Sequence, residues 1–292
     1  MLTLKQVFNQ VKKIEFNSRN LVDQLLSGSQ YSCFKGTGLE FYDLKEYVLG
    51  DDIRRIDPKT ILKYNKNCIR RYVEEKKMEV KFLFDVSSSF GLGVPISKKD
   101  KSICLIASII FAALRKDASI GLMFFSNKID KEFVSVSGKI QSINIIRQLL
   151  SYKVSNGEKT DLKKVLREFN KKNKNRCILF IVSDFRCSIS FLELKLMSKK
   201  HDIIPIIVND NIEKNVSRDI KSIEDPESGR KIHINRYNRH LLNQFVNGDN
   251  NNKKSIISSF YEIGVNPLMI NIDEEYEYAL KTFFRKKYNG ET

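Results

Sequence analysis

The sequence predicts an α/β protein built on a three-layer, doubly wound and mostly parallel sheet. Two observations support this fold class. Short, continuous apolar runs, typical of parallel strands buried on both faces, recur along the chain. Longer stretches with helical spacing of apolar residues separate them, as expected when crossover helices cover both faces of one sheet. The hydrophobic fraction of 41% is sufficient to form the core of such a domain.

The elements follow in a regular order after a leading region. The predicted parallel strands are residues 79–85, 119–125, 176–183, 202–208 and 267–272, with an alternating edge strand at 128–136. The predicted helices are residues 98–116, 139–150, 162–170, 190–200, 237–263 (interrupted at 248–253) and 274–287. A hairpin with arms 216–223 and 230–234 is predicted around Asp225 to Gly229.

The leading region, residues 1–77, is predicted to be separate from the α/β domain at 78–292. Residues 2–26 have apolar side chains near helical period, which predicts an amphipathic helix packed on the rest of the protein. Residues 35–57 combine glycines with charges and tyrosines, a pattern that neither a simple helix nor a simple strand explains. We therefore expect a loop-rich segment there.

Two interpretations of the charges in this loop-rich segment stay open. They form either ion pairs and turn contacts within a structural loop, or an exposed surface that binds a partner. The residues concerned are Glu40, Asp51, Asp52, Arg54, Arg55 and Asp57.

The strand at 79–85 ends in a polar loop that carries the strongest chemical signal in the chain. Asp85, Ser87 and Ser89 place three oxygen-bearing side chains at alternate positions, where ligands bind outside the carboxyl ends of parallel strands. Such oxygen ligands suit a hard divalent cation, Mg²⁺ or Mn²⁺. The alternative is an Asp and Ser loop that only caps the next helix.

Three segments together resemble one bacterial family. They are G-x-G-x-E-F at 36–41, G-D-D-x-R-x-I-D at 50–57 and D-x-S-x-S at 85–89. The combination is similar to the domain-of-unknown-function family fifty-eight, which pairs a variable leading region with a von Willebrand factor A-like domain. Its members are commonly encoded beside MoxR-type AAA+ ATPases. The sequence departs from the family at Pro58, where tryptophan is usual.

The resemblance implies a metal-ion-dependent adhesion site with two further ligands. In that pattern Thr160 would supply a hydroxyl to the metal, and Asp184 would hold it through a water molecule. Thr160 could instead be the N-cap of the helix at 162–170, and Asp184 could serve in a cap or turn. The metal would bind a carboxylate of a partner protein, and the partner implied is a MoxR-type ATPase or its client.

These features predict a non-catalytic, metal-dependent adaptor. The three histidines lie in the last third of the chain, away from any candidate nucleophile. The net charge of +16 supports an alternative, a protein that binds nucleic acid or another anionic surface, although the basic residues are spread along the whole chain. A metal-dependent phosphoesterase is a third hypothesis. Without an export signal, a long apolar segment or paired cysteines, the sequence predicts a soluble cytoplasmic protein.

Overall fold

A computed structural model describes most of the α/β region and parts of the leading region. The described residues are 39–48, 51, 52, 54, 56, 67–74, 78–87, 90, 98–152, 160–209, 222–224, 231–233 and 252–289. The predicted helix at 2–26 and most of the one at 237–263 lie outside them. Ser89, Arg55 and Asp57 also lie outside, as do the side chains of Glu40 and of both strands of the hairpin.

One six-stranded sheet organises the α/β region. Its strands are β3 (Glu79–Asp85), β4 (Ser119–Phe125), β5 (Ile129–Val136), β6 (Ile178–Ser183), β7 (Asp202–Asn209) and β10 (Leu268–Asn271). They are ordered β10-β7-β6-β3-β4-β5, and only the edge strand β5 is antiparallel to its neighbour. The mostly parallel sheet and the edge position of β5 are therefore as the sequence predicts, and the structure adds that β5 runs antiparallel.

Helices pack on both faces of this sheet because successive strand residues point to opposite sides. The helices are α1 (Lys98–Leu114), α2 (Lys139–Ser151), α3 (Leu162–Lys172), α4 (Phe191–Ser198), α5 (252–262) and α6 (Tyr276–Asn289). On one face, Phe82 of β3 shares a buried cluster with α1, α2 and α6. On the other, Leu83 shares a second cluster with α3, α4 and Phe260 of α5. The alternation of strands and helices predicted from the sequence is confirmed.

The leading region contains more regular structure than the predicted loop-rich segment. Residues Leu39–Glu46 form β1, which pairs antiparallel with β2, Cys68–Glu74. The prediction of a loop is therefore wrong for 39–46. The strand depends on a partner more than twenty residues away, and the register shifts between Phe41 and Asp43, which hides the regular alternation that would signal a strand.

The predicted hairpin is confirmed in a shorter form. β8 (Ser222–Glu224) and β9 (Lys231–His233) pair antiparallel, with Ile223 opposite Ile232. Of the predicted helix at 237–263, the described part is α5. No helix in the described part of the chain is long and apolar enough to cross a membrane.

Candidate functional site

The two predicted acids at strand ends meet at the centre of the sheet. β3 and β6 are parallel neighbours, with Phe84 opposite Val182, so Asp85 and Asp184 emerge at the same edge. From β3 the chain proceeds first to β4 on one side and later to β6 on the other. The gap between β3 and β6 is thus the topological switch point, where open α/β sheets bind ligands.

Asp85 is held by neutral hydrogen-bond donors. Its side chain is buried, and Oδ1 accepts a hydrogen bond from the Ser87 backbone N–H at 2.9 Å. Oδ2 accepts one from the Ser183 hydroxyl at 2.5 Å, and the Ser183 oxygen in turn accepts from the Phe185 N–H at 3.0 Å. Burial raises the pKa of Asp85 to about 7; the charge of Asp184 acts in the same direction, while these hydrogen bonds oppose it.

Asp184 has a cation as its partner. Its Oδ2 lies 2.8 Å from the ammonium of Lys98, and side-chain exposures of 4% and 3% make this a fully buried ion pair. Oδ1 accepts a weaker hydrogen bond from the Arg186 N–H at 3.3 Å. Burial acts to raise the pKa of Asp184, but the charges and hydrogen bonds of Lys98 and Arg186 outweigh it, so the pKa is lowered.

Lys98 is a site residue that the sequence does not predict. It is the first residue of α1, in the run K-K-D-K, and the sequence contains no signal that distinguishes it from the lysines at 99 and 101. Lys99 is directed elsewhere, to the Tyr152 carbonyl, and Lys101 lies over the ring of Tyr276. Only the three-dimensional structure shows that Lys98 is buried against Asp184.

Thr160 stands two residues before α3 and lines the cleft beside Asp184. The Asp161 N–H donates to the Ser126 carbonyl at the end of β4, at 3.1 Å, which holds the start of α3 at the same edge of the sheet. Asp161, and not Thr160, caps α3, because its Oδ1 accepts from the Lys164 N–H at 3.0 Å. The alternative in which Thr160 is the N-cap is therefore wrong, and Thr160 lines the same cleft as Asp184.

The cleft beside Asp184 has a volume of about 650 Å³. Thr160, Arg186, Ser188 and Lys253 contribute to its wall together with Asp184, whereas Asp85 and Ser87 do not line it. Phe185 anchors this wall: its backbone has φ of +53°, and its buried ring packs edge-on against Phe260 of α5 at 5.4 Å. A bulky residue adopts that conformation only where packing imposes it.

The donor set fits a hard divalent cation. Asp85, Ser87, Thr160 and Asp184 supply only oxygen atoms, the ligand type that Mg²⁺ and Mn²⁺ prefer. Both oxygens of Asp85 and Oδ1 of Asp184 accept one hydrogen bond each and can accept a further contact, whereas Asp184 Oδ2 is occupied by the Lys98 ammonium. Within the described ranges no three His, Cys, Asp or Glu residues cluster as metal ligands, so such a site would depend on its hydroxyl groups.

The charged residues of the leading region make local contacts. The Asp51 carboxylate lies 3.1 Å from the Lys45 ammonium and accepts from the Val48 N–H at 3.2 Å. The hydrogen bond from Lys45 has the largest effect on the pKa of Asp51, followed by the one from the Val48 N–H, and both lower it. Asp52 accepts from the Arg54 N–H at 3.1 Å. For Asp51 and Asp52 the turn-contact interpretation is therefore seen directly, while binding of a partner there stays a prediction.

Comparisons with known proteins identify relatives of unknown function. A family model described as "Protein of unknown function DUF58" matches residues 43–255. Uncharacterised proteins of Mycobacterium tuberculosis and Mycobacterium bovis are 21% identical over 224 residues, covering 75% of this chain and 70% of theirs. Solved structures include BatB from Bacteroides thetaiotaomicron, with 12% identity, 73% of this chain and 100% of that one covered, and a TM-score of 0.46. An aerotolerance-related membrane protein from Bacteroides fragilis is 13% identical, with the same shares of both chains covered and a TM-score of 0.45.

Proposed function

This chain belongs to the DUF58 family, whose function is unknown, and from its own site we propose that it is a non-catalytic, metal-dependent protein–protein interaction module. We propose further that it works in the cytoplasm as an adaptor for a MoxR-type AAA+ ATPase or its client, in protein assembly or maturation. This partner comes from the family resemblance. The proposed domain is a three-layer, von Willebrand factor A-like fold.

One observation carries the proposal: two buried carboxylates from adjacent parallel strands meet at the switch point, beside a cleft with hydroxyl groups in its wall. Asp85, Ser87, Thr160 and Asp184 would hold Mg²⁺ or Mn²⁺, together with Ser89 by the resemblance. The bound ion would supply a Lewis-acidic position for a carboxylate of the partner.

The chain's own residues favour an acidic partner at this cleft. Arg186 and Lys253 line it, so basic side chains at the cleft attract an incoming carboxylate. The hydroxyls of Thr160 and Ser188 can donate hydrogen bonds to it. The leading-segment charges Glu40, Asp51, Asp52, Arg54, Arg55 and Asp57 are a second proposed contact surface.

Titration calorimetry tests the proposal in two steps. Mg²⁺ and Mn²⁺ are titrated into the wild type, Asp85→Ala and the control Asp202→Ala, which removes a carboxylate at the opposite edge of the sheet. We expect saturable binding that only Asp85→Ala abolishes. The second step measures binding to a MoxR-type ATPase from the same organism in Mg²⁺ and in chelator. An affinity indifferent to both Mg²⁺ and Asp85→Ala would refute the metal-bridged interaction.

A second candidate function, binding of an anionic surface, is favoured by a different cleft. A cavity of about 300 Å³ at the amino-terminal edge of the sheet is lined by Arg176, Lys199, Lys200 and Lys287. Salt-dependent binding to nucleic acid or anionic vesicles, weakened by Arg176→Gln and unaffected by Asp85→Ala, would support this function over the first.

A further inference from the structure

The acidic centre already contains a cation. The ammonium of Lys98 lies 2.8 Å from Asp184 Oδ2, and both side chains are almost completely excluded from solvent. A charged lysine is rarely buried to this extent without a partner, because desolvation of an ammonium is costly. Lys98 and Asp184 therefore depend on each other in the structure described here.

The position of Lys98 is fixed by its helix. Lys98 is the first residue of α1, and its backbone carbonyl accepts a hydrogen bond from the Ser102 hydroxyl at 2.7 Å. From Ser102 onward α1 is mostly buried in the core cluster on one face of the sheet. The ammonium is consequently presented to Asp184 by a rigid element and not by a mobile loop.

We infer that Lys98 is the resident counter-ion of the acidic centre and that a divalent cation must displace it from Asp184 to bind. This inference rests on the proposed metal site and specifies how that site is regulated. Whether the divalent ion contacts Asp184 directly or through a water molecule, an ammonium and a divalent ion held by the same buried carboxylate repel each other strongly. Binding of Mg²⁺ or Mn²⁺ therefore requires the Lys98 ammonium to leave Asp184. The ion pair between Lys98 and Asp184 consequently weakens the affinity of the site for either ion.

The expected size of the effect follows from population arithmetic. If Lys98 occupies Asp184 in about nine of ten molecules, the apparent affinity for the divalent ion falls about tenfold. Substitution of Lys98 by an uncharged residue should restore the affinity for the divalent ion. Substitution of a lysine of the same helix that does not contact Asp184 should leave that affinity unchanged. Lys101, which lies over the Tyr276 ring, provides this comparison with the same change in net charge.

The test is calorimetric titration of Mn²⁺ into chelator-treated wild type, Lys98→Met, Lys98→Arg and Lys101→Met. We expect Lys98→Met to bind Mn²⁺ about tenfold more tightly than the wild type. The charge-retaining Lys98→Arg and the control Lys101→Met should resemble the wild type. Equal or weaker binding by Lys98→Met, including no binding by any variant, would overturn the inference.

A second measurement covers the case in which Lys98→Met does not fold in chelator. Thermal unfolding followed by circular dichroism with increasing Mn²⁺ should then show recovery of the folded state in this variant, because the ion replaces the missing positive charge. Failure of Mn²⁺ to restore folding would overturn the inference.

The proposed function fails in a different measurement, association with the ATPase. That association can be indifferent to Mg²⁺ even where Lys98→Met binds Mn²⁺ more tightly. Conversely, tight Mn²⁺ binding that is equal in wild type and Lys98→Met leaves the proposed function intact and removes only the role of Lys98.

Discussion

Removal of either partner of the buried ion pair between Lys98 and Asp184 should strongly lower the free energy of unfolding, whereas replacement of both partners together should lower it little. Lys98→Met leaves a carboxylate without its counter-ion, and Asp184→Leu leaves an ammonium in the same position. Removal of one partner from a buried pair costs about 3–5 kcal/mol, because the remaining charge stays desolvated. Each single variant should therefore lose about this much free energy of unfolding.

The double variant, Lys98→Met with Asp184→Leu, should recover most of that loss. Replacement of a buried pair by apolar side chains of similar size is often neutral or stabilising. One cost remains, because the part-buried Arg186 N–H loses its 3.3 Å hydrogen bond to Asp184, and a hydrogen bond of this kind contributes about 0.5–1.5 kcal/mol. We expect the double variant to lie within about 2 kcal/mol of the wild type.

Urea unfolding at pH 7 in chelator gives the free energy of unfolding of the wild type, the two single variants and the double variant. The dependence of this free energy on urea concentration should be the same for all four proteins. Lys172→Met serves as the control, because Lys172 pairs with Glu132 at 3.1 Å with side chains 45% and 31% exposed. Its loss should cost less than about 1 kcal/mol. Single-variant costs that simply add in the double variant, or a cost of Lys98→Met as small as that of Lys172→Met, would refute a desolvated, coupled pair.

Three other side chains give separate predictions. Asp161→Ala should lower the free energy of unfolding by about 1 kcal/mol through loss of the α3 cap, with Asp161→Asn nearly neutral in the same urea assay. Ser183→Ala should cost about 1–3 kcal/mol because Asp85 loses a buried donor, whereas Ser258→Ala, at an exposed helix hydroxyl, should cost less than about 0.5 kcal/mol. Burial, followed by the charge of Lys200, lowers the pKa of His201 from 6.5 to about 4, so between these pH values the unfolded chain binds a proton that the folded chain does not. The free energy of unfolding of the wild type, relative to that of His201→Phe, should therefore rise from pH 4 to 6.5, by at most about 3 kcal/mol. A difference that does not depend on pH would contradict this prediction. For the other two side chains, a cost of Asp161→Ala or Ser183→Ala equal to that of its control would contradict the assigned hydrogen bond.

The main sheet could be predicted because its signals are local. Residues 82–84 and 178–182 are continuous apolar runs, and each is followed within two residues by an acid. The rule that parallel strands end at one edge then places Asp85 and Asp184 at the same edge of the sheet without any coordinates. That the two acids come from adjacent strands is shown only by the structure, in which β3 and β6 pair in register.

The features that could not be predicted depend on contacts distant in sequence or on a choice between similar neighbours. β1 becomes a strand only by pairing with β2 across an intervening segment. Thr160 and Asp161 are both good capping residues, and only the hydrogen bond to Lys164 shows which one caps α3. Lys98 stands among other lysines, and its burial follows from the packing of α1 and not from its own sequence context.

The pKa values of the two acids shift in opposite directions, although each acid follows a similar strand, because their partners differ. Asp85 accepts hydrogen bonds from neutral groups, and burial raises its pKa to about 7. For Asp184, the charges of Lys98 and Arg186 outweigh burial and lower the pKa. The charged form is therefore favoured more strongly for Asp184, the acid that lines the cleft, than for Asp85. The parallel sheet brings the two carboxylates together, and Lys98, the first residue of α1, favours the charged form of Asp184.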